Sequence, residues 1–292
     1  MIGGFAAAVA AALLLGSYLV AVKRYFSHYP PTLFLAVVHV IGLCWYLPAL
    51  AATGSLGGLV PPLTTVETAI VVGTVGLTAV ALSAFYHALA VGDVSYVAPI
   101  SKIVPVFVLP LEVILLGQRL TALHVLGVGV ATSAVYVANY DGESLWGPFV
   151  TLRRRRAALF ALASAAIFGV VDVGKRVSMQ ELAVPASGFV VLTLALVPLA
   201  LAPLAVRRST ADIDWVADRP KLVVAGGALA TGQHLVSVAF VSLPASVVSP
   251  VVNTQAVVAV VLGSVLLGEP DTRRRLLAGG LAVTGVVLLS LG

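Results

Sequence analysis

Residues 2–22, 29–66, 68–92 and 222–268 contain no Asp, Glu, Lys or Arg. A helix needs about 20 apolar residues to cross the hydrocarbon core of a bilayer. Every one of these runs reaches that length, and the longest suffices for two crossings. Only 10% of the 292 residues are charged, where a water-soluble domain carries about 25%. The chain is therefore expected to be an all-α polytopic membrane protein with the lipid bilayer as its solvent.

Charges and Gly/Pro clusters divide the sequence into ten candidate helices near 3–22, 32–53, 67–90, 94–117, 122–139, 157–177, 186–206, 221–241, 245–267 and 275–291. The first run, "MIGGFAAAVAAALLLGSYLVAVKR", puts its positive charges after the apolar stretch. A secretory leader has them before it, so this run reads as a first span. Cys44 is the single cysteine; no intrachain disulfide can form, and its apolar setting predicts a buried thiol.

The longest basic separator, 140–156, cuts the chain almost in half and predicts two units, 1–139 and 157–292. An offset of 151 residues lays Pro99 on Pro250, Ser95 on Ser246, Gly117 on Gly268, Leu126 on Leu277 and Gly129 on Gly280. Five spans is an odd number, so a second copy must enter the membrane upside down. The expectation is two inverted five-helix repeats with a substrate site between them near the midplane.

Most basic residues fall in alternate loops: Lys23, Arg24, Arg153 to Arg156, Arg207, Arg208, Arg219, Lys221 and Arg273 to Arg275. Arg119, Lys175 and Arg176 lie on the opposite side. By the positive-inside rule both termini are expected outside the cytoplasm, in a cell inner membrane. The formal charge of +5 sits at span ends without an aromatic-interleaved basic surface, which argues against nucleic acid.

The motifs then resemble a known family. "SYVAPISKIVPVFVLPLEVILLGQRLTALHVLGVGV" and "ASVVSPVVNTQAVVAVVLGSVLLGEPDTRRRLLAGGLAVTGV" both resemble the carboxyl-terminal signature of EamA-type repeats. "LLLGSYLVAVKR" at 13–24 and "AIFGVVDVGKR" at 166–176 resemble their first helix. Such repeats belong to the drug/metabolite transporter superfamily, and two make a ten-helix carrier. The resemblance implies a secondary transporter of a small polar or amphipathic metabolite, working by alternating access. Gln118 stands where the family usually has glutamate, Glu269 keeps it, and Ala256 replaces the proline retained as Pro105. The first helix lacks the carboxylate of the small multidrug members, which argues against proton-coupled drug antiport by that route.

Intramembrane polar residues mark the candidate site. Lys102 lies well inside its span and falls on Asn253 in the repeat register, within "NTQ" of the ninth span. Lys102, Asn253 and Gln255 are expected to line the cavity, Lys102 against an anionic group of the substrate. Gln233 with His234, and Tyr18, Tyr86 and His87, are further candidates for substrate contact or for packing between helices. Glu112 and Asp172 are candidates for coupling or gating. Asp172 also stands at helical spacing from Lys175 and Arg176, which suits a local ion pair near the interface.

No HExxH, GxSxG, Walker A or metal-spaced Cys/His set occurs, so neither a soluble-type enzyme, a cofactor nor a metal is expected. The alternative class is a flippase or membrane-embedded enzyme acting on a lipid-linked substrate. The partner expected is a small metabolite, one with an anionic group included, and the assembly a monomer or homodimer.

Overall fold

The computed structural model describes residues 2–101, 103–116, 121–139, 155–208, 210, 213–243, 248, 251–268 and 272–291. Lys102, Glu269 and the central basic loop lie outside the described residues, as does the side chain of Glu112. Every regular element described is helical. In the first half these are α1 (Ile2–Phe26), α2 (Pro31–Ala52), α3 (Thr65–Val91), α4 (Val94–Ser101), α5 (Val104–Leu116) and α6 (Ala122–Asn139). In the second they are α7 (Arg156–Arg176), α8 (Ala186–Ala205), α9 (Trp215–Ser242), α10 (Gln255–Leu267) and α11 (Thr272–Leu291). α7 continues as a π-helical turn over Val177–Glu181.

The helix ends follow from local chemistry. Pro31 opens α2 at a position where its missing N–H costs nothing. Thr64 and Glu67 close a capping box at the start of α3. The Asp214 carboxylate accepts from the backbone N–H of Val216 and Ala217, so α9 begins before Pro220 rather than after it. Gly268 ends α10 at φ 64°, a left-handed turn that glycine takes without strain.

α1, α2, α3, α7, α8 and α9 are each long and apolar enough to cross a bilayer. The fourth and ninth spans each depart from regular α-helix at one place. Ile103 lies just before α5, and Thr254, still helical in its dihedrals (φ −60°, ψ −14°), marks a tightened turn between a helical turn at 251–253 and α10. These two positions are 151 residues apart. So are the starts of α5 and α10, and so are their ends at Leu116 and Leu267. The Val106 N–H donates to the Ile103 carbonyl at 2.9 Å, and the Val257 N–H to the Thr254 carbonyl at the same distance. Pro99, Pro105 and Pro110 each remove a backbone donor from the fourth span; the ninth departs from regular helix at the equivalent place without a counterpart to Pro105.

Helix packing repeats the symmetry. α3 lies on α7 as α1 lies on α9, α5 on α7 as α10 on α1, and α3 on α8 as α2 on α9. α2 packs on α8 and α6 on α11, each pair being its own counterpart. Ten spans form two repeats of five, the second inverted relative to the first. Two of the tight approaches fall on the first helix of each repeat. A Cβ on Gly16 would fall 2.7 Å from the Val258 Cβ, and one on Gly169 would fall 2.8 Å from the Phe107 Cβ. Phe107 and Val258 are again 151 residues apart. Each repeat thus presses the glycine of its first helix onto the broken helix of the other.

Alanine is prominent in the interior, with Ala8, Ala11, Ala158, Ala161, Ala165 and Ala259 fully covered. Small residues let helices approach where apolar surface alone gives no drive to associate in lipid. Larger apolar side chains such as Val224, Leu199 and Val265 face outward. Cys44, expected to be buried, is exposed on this outer surface of α2; a thiol is apolar enough to face lipid. We expect Gly16→Ala and Gly169→Ala each to destabilise the detergent-solubilised protein by about 1–3 kcal/mol through overpacking. Thermal unfolding checks this, with the unpacked Gly280→Ala as the neutral control.

Candidate functional site

Residues from six spans meet around a central cavity of about 120 Å³. They come from α1, α3 and the fourth span of the first repeat, and from α7, α9 and the ninth span of the second. These three pairs are exchanged by the repeat symmetry. The volume is enough for several waters or a small solute group.

The walls are apolar with a few polar groups. Leu15, Leu82, Phe85, Phe168, Leu229 and Phe240 supply apolar surface. Tyr18, Tyr86, Asp172, Lys175, Gln233, Asn253 and Gln255 supply the polar groups. Val104 and Gln255, the first residues of the two half-helices, both reach this space. The interruptions therefore lie at the cavity, where broken backbone can meet water or protein rather than lipid.

Several of these groups have unused hydrogen-bonding capacity. Gln255 is 5% exposed, and neither its amide nor that of Gln233 makes a side-chain hydrogen bond among the described residues. The Tyr18 and Tyr86 hydroxyls approach each other, yet the Tyr18 hydroxyl completes no bond. A buried polar group left unpaired costs roughly 1–3 kcal/mol. A solute or water seated here would recover that.

Asp172 and Lys175 lie one turn apart on α7, close enough to interact electrostatically, and both face the cavity. Their spacing alone suggests a pair at the interface; the structure places them on the cavity wall instead. Lys175 gets there because Gly174 lets α7 close onto α3, where an added Cβ would collide with the Thr74 hydroxyl. Lys175 is the residue that sequence spacing leaves out of the site. The signal for it is the terminal lysine of the first-helix motif.

Among the candidates, the structure brings together Tyr18, Tyr86, Gln233, Asn253, Gln255 and Asp172. His234 and His87 do not line this cavity. The Nδ1 of His234 is 2.7 Å from the Tyr46 hydroxyl of α2, a bond that joins the two repeats. His87 bonds the Ser83 carbonyl of its own helix at 2.7 Å and lies against the Phe160 ring. Lys102 and the Glu112 side chain lie outside the described residues.

A chain of aromatic contacts runs from the cavity toward one end of the bundle. Tyr86 packs on Phe34, which packs on Phe26 and Tyr29, and Tyr29 stands edge-on to Trp215. The Tyr29 hydroxyl donates to the buried Asp218 carboxylate at 3.2 Å. Burial and then that carboxylate push its pKa up to about 12. It therefore stays a donor at physiological pH.

The family model described as the EamA-like transporter family matches residues 2–140 and again 155–291. The chain belongs to this family. The two matches fall on the two five-span halves. No curated protein matches the sequence. A solved structure titled "Crystal structure of protein" is similar at a TM-score of 0.69 and 18% identity. The match covers 99% of this chain and 96% of that one, which shows a shared fold. As an EamA-like protein this is an integral membrane protein of a transporter family.

The histidine and glutamine of α9 should separate in experiment. We expect Tyr46→Phe, which leaves His234 without its partner, to lower stability by about 1 kcal/mol. Ligand-induced stabilisation should survive in that variant. Gln233→Ala should keep the unliganded melting temperature and lose ligand-induced stabilisation. Thermal shift with and without a transported solute distinguishes the two.

Proposed function

We propose that this EamA-like protein is a secondary carrier that moves a small polar or amphipathic metabolite by alternating access. The observation that carries the reading is the cavity. It is built from symmetry-exchanged spans, continued by aromatic rings toward one end, and lined by the amides of Gln233 and Gln255 beside a carboxylate and an ammonium. Binding at the meeting of inverted repeats lets one site face either side as the halves rock.

The substrate on this reading carries an anionic group. Lys175 stands on the wall to meet it, and Lys102, aligned with Asn253 in the repeat register, is assigned the same task from the first repeat. Tyr18, Gln233 and Gln255 would take the polar remainder, with the apolar wall around them. A lysine in hydrocarbon without a wet or paired setting would cost about 3 kcal/mol or more.

The membrane orientation we propose puts the basic end in the cytoplasm of a cell and both termini on the far side. Contacts in the fold support grouping these residues at one end. Lys23 donates to the Leu89 and Gly92 carbonyls, Arg155 lies over the Tyr96 ring, and Arg275 pairs with Asp93. A reporter fused at the C-terminus should give a non-cytoplasmic signal; a cytoplasmic signal overturns this orientation.

Uptake into proteoliposomes tests the carrier. A panel of small carboxylates, phosphates and neutral polar solutes is first screened by thermal shift, since a ligand stabilises the state it binds. Counterflow of the hits then reads transport. Lys102→Met and Lys175→Met should each fold and lose roughly tenfold or more of anionic-solute transport, the value of a lost charge-assisted hydrogen bond. Wild-type rates in both variants would sink the anionic substrate. An absence of counterflow for every stabilising solute would sink the carrier.

A further inference from the structure

We infer that Asp218 and Asp93, each bridged to the opposite repeat, form a latch that shuts the cavity off from the basic end and must release for solute to pass that way. This rests on the carrier reading above. Asp218, in the first turn of α9, is held at 2.9 Å by His28 Nε2 and at 3.2 Å by the Tyr29 hydroxyl, both from the turn between α1 and α2. Lys221 of its own helix adds a third contact at 2.9 Å. Asp93, in the turn between α3 and α4, pairs with the buried Arg275 of α11 at 2.7 Å, and Arg275 also bonds Ser95. One bridge has its carboxylate in the second repeat and its donors in the first; the other is the reverse. Two halves that rock apart at this end must break both.

The same end carries the aromatic stack on which the cavity ends. Tyr29 belongs to both, since it donates to Asp218 and packs on Phe34. Releasing Asp218 therefore frees a ring of the plug beneath Tyr86.

The repeat symmetry supplies an internal control. α3 and α9 are in register at their ends: Gly92 and Leu243, 151 residues apart, both leave the helix in extended conformation. The counterpart of Asp218 is then Glu67, in the first turn of α3 at the opposite end. Glu67 is exposed and turned back on its own helix start, accepting from the Thr64 N–H at 2.7 Å and the Thr64 hydroxyl at 2.8 Å. Equivalent carboxylates, one latched across the repeats and one not, are what a carrier closed at one end presents.

The test uses the full-length protein with Cys44→Ser and a reporter, Thr78→Cys, on the cavity wall. In vesicles of known orientation, a membrane-impermeant maleimide is applied from either side, and the ratio of labelling rates reports which end is open. With Asp218 intact, labelling should come mainly from the end opposite the latch. Asp218→Asn and Arg275→Gln should each raise labelling from the basic end by roughly fivefold or more. Asp218→Glu should keep the starting ratio, and Glu67→Gln should not raise basic-end labelling. Should Asp218→Asn fail to fold, His28→Ala with Tyr29→Phe removes the donors from the other side and is read the same way. An unchanged ratio in the folded variants, or an equal shift in Glu67→Gln, overturns the latch. No solute is needed for this assay. Lost transport in the parent protein would count against the carrier alone, and intact transport with an unmoved ratio against the latch alone.

Discussion

Hydrocarbon offers a peptide group no hydrogen-bonding partner, and the architecture answers to that constraint. An unbroken helix satisfies its own backbone and can face lipid, as α1 and α3 do along their outer sides. An interrupted helix cannot. All eight residues of α4, which leads into one interruption, are buried, and so are Ile103 and Val104 just beyond it. In the ninth span Val252, Asn253 and Gln255 flank the other break and are buried as well. The two spans that break must stand at the centre of the bundle with the others arranged around them. That placement makes their junction available as a site.

The central position in turn requires another helix to cross each broken one closely. Gly16 and Gly169 make this possible, because at both crossings the Cβ of the facing residue occupies the space a side chain would need. The glycines and the breaks obey one symmetry. The cavity, the interrupted spans and the first-helix glycines are therefore one arrangement seen twice, once from each repeat.

Uncharged runs made the ten spans legible in the sequence, and the offset of 151 made the repeat legible from Ser95 to Gly129. The break in the ninth span was harder to read. Prolines flag the fourth span, but Thr254 carries no local breaking signal, and only the alignment with Ile103 points to it. The site was legible in part for a related reason. Helices that are apolar all round, as α3 and α9 are, give no amphipathic face from which to tell inward from outward residues. Gln233 and His234 are neighbours, yet one faces the cavity while the other bonds Tyr46. His87 is absorbed by the Ser83 carbonyl. Asp172 and Lys175 are three apart and would suit an interface pair equally well. Their place on the cavity wall depends on Gly174 and Thr74, a contact between helices that no local pattern shows.

The balance of forces at the repeat interface follows from these residue choices. Where the covered residues between spans are alanine, as at Ala8, Ala11, Ala158 and Ala161, the faces are nearly smooth and make no deep interlock. A small shift of one helix past another then loses little dispersion energy, whereas interdigitated leucines would resist it. The discriminating contacts are the few polar ones, each worth about 0.5–1.5 kcal/mol, or up to about 3 where charge assists. On the carrier reading, two such bridges at one end would hold a two-state equilibrium far to one side. They are still few enough that a solute seated on the Gln233 and Gln255 amides would offset them. A ligand shifts such an equilibrium only by its preference for one state. On the carrier reading, the alanine-lined crossings would keep that gap small enough for the preference to matter.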